Sequence, residues 1–225
     1  MNPTLPLRVL FCASESQAPA WRQALQAAFA AERLAVDLQW RDAARSEVQA
    51  DPWQADVALV WRPPAAVFAE QRALKLVYNL GAGVDALLAM PQFPRDVPLL
   101  RLEDAGMSEA LAEYVLAAVL RVYRGFDVYA AQQQQARWQP RALRDKADVA
   151  IGVLGLGVIG GAIARGLAQQ GFALRGYARS MKSIDRVRCF AGTLAGSDAQ
   201  LAAFADGLDI LVSVLPLTAD TRGAR

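Results

Sequence analysis

The sequence predicts an α/β protein made of two doubly wound parallel-sheet domains, and three observations predict it. Apolar runs of strand length alternate with helical stretches over the first hundred residues. Runs such as VALVW (57–61) and LKLVYNLG (74–81) carry no polar alternation, which suits strands covered by helices on both faces. The same alternation restarts at Val149 after the polar stretch 140–148. The expected division is a first α/β domain over 1–105, a connecting or dimer helix with its linker over 106–148, and a second α/β domain over 149–225.

In chain order, strands are expected at 7–12, 35–40, 57–61, 76–80 and 98–102, with a helix over 20–33. From Ser108 the segment SEALAEYVLAAVLRVYRGF places apolar residues on nearly every side of a helix. Ser108 can cap it and Gly125 can end it. A helix apolar all round is buried between domains or subunits, so a homodimer is expected. The tract Gln132 to Gln135 reads as a solvated helix end. In the second block, strands are expected at 149–154, 173–177, 187–190 and 209–215, and helices at 159–170 and 198–205.

Composition narrows the function classes. Hydrophobic residues make up 54% of the 225 and charged residues 20%, enough apolar matter for real cores. The net charge of +2 comes from 24 basic and 22 acidic residues without a block of one sign, so neither nucleic acid nor a membrane surface is an expected partner. Cys12 and Cys189 form no CxxC pair and have no histidine near them; two buried thiols in a reducing cytoplasm are expected, with no metal. The N-terminus reads as a first strand, not a signal peptide. The charge-free stretch 149–164 is shorter than the roughly 20 residues of a membrane span and is broken by glycines. Histidine is absent altogether, which removes the commonest general acid–base side chain.

The run GLGVIG carries the chemistry. An apolar strand ends at Leu154, Gly155, Gly157 and Gly160 follow at once, and Ile163 and Leu167 then recur at helical spacing. Gly155 permits the tight turn, Gly157 lets the backbone approach a pyrophosphate, and Gly160 lets helix pack on strand. The free N–H groups of the helix start, with Leu156, Val158 and Ile159 in the turn, then face the phosphates. A P-loop is excluded, because Gly161 and Ala162 follow Gly160 where Lys and Ser or Thr would stand. At the end of the next strand the chain reads Tyr177, Ala178, Arg179, Ser180, Met181, Lys182, with no acid for a ribose hydroxyl. Arg179, Ser180 and Lys182 can hold a 2′-phosphate, which favours NADPH over NADH. A solvated basic turn is the plain alternative, and Asp185 would serve NAD if the strand ran longer.

These residues are similar, segment by segment, to the D-isomer-specific 2-hydroxyacid dehydrogenase family and, within it, the glyoxylate/hydroxypyruvate reductase A subgroup. The likeness is carried by ALVWRPP (58–64), LGAGVDALL (80–88), RLEDAGMSEALAEY (101–114), Trp138-Gln139-Pro140, GLGVIG and SVLPLTADTRG (213–223). The resemblance implies a flavodoxin-like N-terminal domain, a Rossmann NAD(P)-binding domain, and reduction of glyoxylate or hydroxypyruvate by NADPH. It matches Gly81, Ala82, Gly83 and Val84 to a carboxylate-binding loop, where glycines let successive N–H groups point at an anion. A plain strand-to-helix turn is the alternative. Trp61 would wall the substrate pocket or belong to the core; Met107, Leu215, Pro216 and Thr221 would flank the cofactor.

The resemblance also requires a catalytic Arg, Glu and His beyond the LPLT segment, and the sequence stops at Arg225, eight residues past Leu217. Arg222 and Arg225 fall too early for that role. The expectation is an incomplete Rossmann domain lacking two strands, with an exposed strand edge, in a truncated chain that is poorly soluble and inactive alone. A short-chain dehydrogenase with Tyr-x-x-x-Lys is excluded, since Gln71, Ala142 and Ala178 precede Lys75, Lys146 and Lys182 by four. A non-catalytic NADPH-binding or dimerising remnant is the other reading.

Overall fold

The computed structural model describes residues 5–50, 52–194, 198–216, 218, 220 and 221, and the chain divides into two compact units, Met1–Glu103 and Asp104–Arg225. Arg222, Gly223 and Arg225, together with Leu217, lie outside the described residues.

The first unit runs β1 (Leu7–Ala13), α1 (Ala18–Ala31), β2 (Val36–Asp42), β3 (Val57–Val60), α2 (Ala65–Glu70), β4 (Leu76–Asn79), α3 (Asp85–Leu88) and β5 (Leu99–Arg101). Its five strands are all parallel in the order β2-β1-β3-β4-β5. That is the flavodoxin-like order, with the strand sequence reversing direction beside β1. Side chains alternate across the sheet. Leu10, Cys12, Val60 and Val77 therefore meet Val67, Phe68, Leu87 and Phe93 on one face. On the other, Phe11 stacks on Trp40 of the neighbouring strand at 4.7 Å and meets Trp21 of α1 at a tilt, 5.4 Å away. The helices 65–70 and 85–88 are too short to leave a periodic signal in the sequence, and none was expected there.

The 43–56 connection is tied down by polar groups. Arg41 in β2 pairs with Glu70 at the end of α2, both buried, and also donates to the Glu47 carbonyl at 2.8 Å. Glu70 accepts from the Gln49 N–H, and the Gln71 side chain holds Ala55 N and the Trp53 carbonyl. The Arg41 and Glu70 charges thus meet each other, as burial demands, although Arg41 Nε finds no partner among the described residues.

The second unit runs α4 (Met107–Tyr123), α5 (Phe126–Gln134), β6 (Ala150–Leu154), α6 (Val158–Gln169), β7 (Ala173–Ala178), β8 (Val187–Ala191), α7 (Ala199–Ala205) and β9 (Ile210–Ser213). Its parallel sheet has the order β8-β7-β6-β9, which counted from β6 is 3-2-1-4. This is the first part of the Rossmann order. Among the described residues β9 pairs with β6 alone, and its Leu211 is 50% exposed.

Two local expectations change. Gly106, at φ +82°, precedes α4, and the cap is made by Asp104: its carboxylate accepts the Ser108 N–H and the Ser108 hydroxyl, each at 2.7 Å. Ser108 is thus the capped residue and not the cap. The α4 helix lays Ala112, Val115, Leu116, Val119 and Tyr123 against the core of its own unit, while Tyr114 and Val122 stay exposed. Both cysteines are free; Cys12 is buried, which pushes its thiol up to about 12, whereas Cys189 is half-buried and not the buried thiol expected.

Candidate functional site

Every candidate residue on a strand end falls at the carboxyl end of a parallel strand, where open α/β sheets bind ligands. In the second unit β6 delivers the chain into the turn at Gly155, which stands at φ +100° and donates its N–H to the Tyr177 carbonyl at 2.9 Å. An L side chain is disfavoured there on backbone grounds alone. A Cβ on Gly160 would overlap the Gly155 carbonyl oxygen and sit 2.9 Å from the Val214 side chain. The helix start and the turn are therefore in backbone contact, and only glycine permits it.

Gly157 differs from both. It caps α6 in extended conformation at φ −74°, and a Cβ built on it meets nothing within 4 Å. Its glycine is required by nothing in the protein itself and leaves open space in front of the helix. The first helical bond here runs from Gly161 N–H to the Gly157 carbonyl at 2.8 Å, and among the described residues no side chain caps the helix. The N–H groups of Val158, Ile159 and Gly160 consequently keep their hydrogen-bonding capacity for an external acceptor. Leu156, by contrast, turns its side chain inward: it is buried against Gly176 of β7, where a Cβ would come within 2.6 Å of Leu156 Cδ1. Only the backbone of Leu156 can face a ligand.

Leu215 lies beside this turn, since a Cβ on Gly155 would be 3.1 Å from its Cδ2. Thr221 folds the segment back on itself, accepting the Thr218 N–H at 2.8 Å and donating to the Pro216 carbonyl. Arg179 and Ser180 are the first residues past β7; they and Lys182 are exposed. Asp185, the alternative ribose ligand, is exposed beyond them and faces Arg186 at 3.6 Å. Next to this corner Asp198 caps α7 and is held below the usual carboxylate range, first by the Thr193 N–H and then by its own helix's N–H groups. Met107 opens α4 and is half-buried.

In the first unit the residues 81–84 follow β4. Trp61 leaves β3 and lays its ring over Gly81, where any Cβ would strike it. Trp61 is 37% exposed, and the Arg62 guanidinium lies over its ring 5.4 Å from the centroid. No acceptor faces the N–H groups of Ala82, Gly83 or Val84 among the described residues. Reading the sequence missed two neighbours. Asn79, buried at the end of β4, donates from Nδ2 to the Gly81 and Gly83 carbonyls, both at 2.8 Å. Arg101 donates to the Ala82 carbonyl at 2.9 Å. A polar residue inside the apolar run LVYN was the only signal for Asn79.

The family model for the D-isomer specific 2-hydroxyacid dehydrogenase NAD binding domain matches residues 116–224. Glyoxylate/hydroxypyruvate reductase A of Serratia proteamaculans is 44% identical over 188 residues, covering 79% of this chain and 58% of that protein. Its counterpart from Yersinia enterocolitica is 40% identical over 222 residues, covering 96% and 66%. The chain thus spans 58% and 66% of the length of these relatives. Among solved structures, a D-isomer specific 2-hydroxyacid dehydrogenase of Xanthobacter autotrophicus Py2, in complex with NADPH and MES, superposes with a TM-score of 0.82 at 40% identity, covering 96% of this chain and 66% of that one. An NADPH-dependent glyoxylate/hydroxypyruvate reductase of Sinorhizobium meliloti, in complex with NADP and sulfate, gives 0.79 at 32% identity, covering 96% and 64%.

Proposed function

This chain belongs to the D-isomer specific 2-hydroxyacid dehydrogenase family, and on that premise we propose that it serves the NADPH-dependent reduction of a small 2-keto acid, glyoxylate to glycolate or hydroxypyruvate to glycerate. The observation that carries the reading is the uncapped α6 start behind the open Gly157, followed one strand later by Arg179, Ser180 and Lys182 without an acid. The relatives of known structure that bind NADPH or NADP lend it support.

In this reading the N–H groups of Val158, Ile159 and Gly160 receive the pyrophosphate, with the helix dipole favouring its charge. Arg179 and Lys182 supply positive charge, and Ser180 a hydroxyl, to the 2′-phosphate; Arg179 adds a planar fork that matches phosphate oxygens. Leu215, Pro216, Thr221 and Met107 are assigned to the nicotinamide end, and Leu215 excludes water from one side of the turn. When bound, the dihydronicotinamide supplies hydride. The N–H groups of Ala82, Gly83 and Val84 hold the keto-acid carboxylate, with Trp61 as the wall. A homodimer joined through the apolar residues Tyr114, Val122 and Phe126, exposed in the single chain, belongs to the same reading. So does a reducing, cytoplasmic setting, which two free cysteines suit.

The 225 residues hold no histidine, so a proton donor of the expected kind is not among them. That composition also favours a second reading, a non-catalytic NADPH-binding or dimerising protein. Fluorescence titration with NADPH and NADH tests the first part: NADPH binds about tenfold or more tighter, and an Arg179→Ala, Lys182→Ala variant loses that preference while keeping its NADH affinity. Equal affinities in the unaltered chain overturn the cofactor assignment. Turnover then separates the readings: the 225 residues alone reduce neither keto acid, and joining the C-terminal segment of a relative to them restores reduction only if the chain is a reductase.

A further inference from the structure

The residues 81–84 offer N–H groups at a place where no helix of any length holds them. The following helix, α3, has four residues, with Val84 as its cap, and supplies neither a dipole of consequence nor a rigid start. Something else must fix the direction of these groups.

A trans peptide unit is planar, with its C=O and N–H pointing opposite ways. Holding the carbonyl of one residue therefore aims the N–H of the next. Asn79 Nδ2 holds the Gly81 and Gly83 carbonyls, which aims the N–H groups of Ala82 and Val84. Arg101 holds the Ala82 carbonyl, which aims the N–H of Gly83. Both hydrogens of the Asn79 amide are spent this way, and at 4% exposure it cannot exchange these partners for water. Trp61 closes the far side of Gly81 and stops the loop from sliding.

We infer that Asn79 and Arg101 are the positioning residues of the substrate-carboxylate loop, Asn79 setting the donors of Ala82 and Val84 and Arg101 setting that of Gly83. The inference rests on the reading of 81–84 as the carboxylate loop. Stability alone does not account for the arrangement: the Ala82 and Gly83 carbonyls, on half-buried and exposed residues, could bond to water instead. What water cannot do is hold three successive peptide planes in one orientation.

The test is hydrogen exchange resolved to single amides, on the full chain, with and without oxamate as a non-reacting 2-keto-acid mimic. In the unaltered chain, saturating oxamate slows exchange at Ala82, Gly83 and Val84 about threefold or more, and neutral acetamide does not. Asn79→Asp, equal in size but without the donor, loses the protection at Ala82 and Val84; Arg101→Met loses it at Gly83. Asn79→Ser, with one hydroxyl donor, keeps the protection at one of the two amides. If Asn79→Asp also loosens β4, Asn79→Ser and Arg101→Met decide the matter. Full protection in those variants overturns the inference and leaves the carboxylate-loop reading standing. Absence of protection in the unaltered chain overturns that reading, and the inference with it.

Discussion

The turns at 81–84 and 155–160 both lie past the carboxyl end of a parallel strand one in from a sheet edge, yet they are shaped by different means. At 155–160 the shape comes from backbone touching backbone: Gly160 rests on the Gly155 carbonyl, and a 12-residue helix orients the donors. At 81–84 the shape comes from side chains gripping carbonyls, because the helix that follows is a single turn. In the reading proposed above both turns bind anions, so such a turn can be written in glycines or in the residues around it. Only the first spelling is a motif.

The amino ends of the two sheets show the opposite relation. Asp56, just before β3, accepts the N–H and the guanidinium of Arg8 at the start of β1, and returns its own N–H to the Arg8 carbonyl. Asp209, just before β9, does the same with Ala150 at the start of β6, with Arg144 as the cation. The amino end of each sheet is clamped alike, while the turns at the carboxyl end diverge.

The largest effect that sharpens the contrast comes from Gly160→Ala. The added methyl meets a carbonyl oxygen that cannot move without opening the turn, so the second unit loses about 3 kcal/mol or more and NADPH affinity falls on the order of a hundredfold. Urea unfolding and cofactor titration read the two effects. An alanine tolerated here would show that backbone contact is not what shapes the turn.

A smaller effect separates ligand space from packing space. Gly157→Ala finds no neighbour within 4 Å and needs no unusual backbone angle, so stability changes by no more than about 1 kcal/mol. Cofactor affinity nonetheless falls about tenfold, because the methyl stands where phosphate must approach. Gly83→Ala in the other turn meets only the Asp85 carboxylate at 3.7 Å and leaves both stability and NADPH affinity unchanged. Should Gly157→Ala bind NADPH as tightly as the unaltered chain, the open space in front of α6 is not the phosphate site.

How much of this was legible in the sequence follows from the same contrast. The strands of both sheets and the roles of Gly155 and Gly160 could be read because a buried parallel strand leaves an unbroken apolar run and a tight turn leaves glycine. Asn79 and Arg101 could not, since their partners are carbonyls, which every residue carries and no letter of the sequence records. Ser108 was mistaken for a cap because its type suits the role; Asp104 fills it from a left-handed conformation at φ +43°, which spacing cannot reveal. The inward turn of Leu156 depends on Gly176, twenty residues later and on a neighbouring strand. Contacts of that kind exist only once the sheet order is known.

The smallest effect probes the shared clamp. Arg8 and Lys75, by hydrogen bonding, together with the Arg8 N–H, hold Asp56 well below the usual carboxylate range; Arg144 and the Ala150 N–H lower Asp209 in the same direction. A carboxylate lowered on folding contributes stability that is complete above its unfolded value, about 4, and is lost as pH falls toward the folded one. Asp56→Asn and Asp209→Asn keep an oxygen for the backbone N–H and remove only the charge. Each variant is therefore less stable than the unaltered chain at pH 7 in its own unit, and the gap closes on acidification below about pH 4. The closure extends to lower pH for Asp56, the more strongly lowered of the two. Urea unfolding followed by hydrogen exchange in each unit measures both gaps. If the two variants weaken the same unit, or if the gaps widen in acid, the clamps are not equivalent and the likeness of the two closed ends is one of shape without a common electrostatic cause.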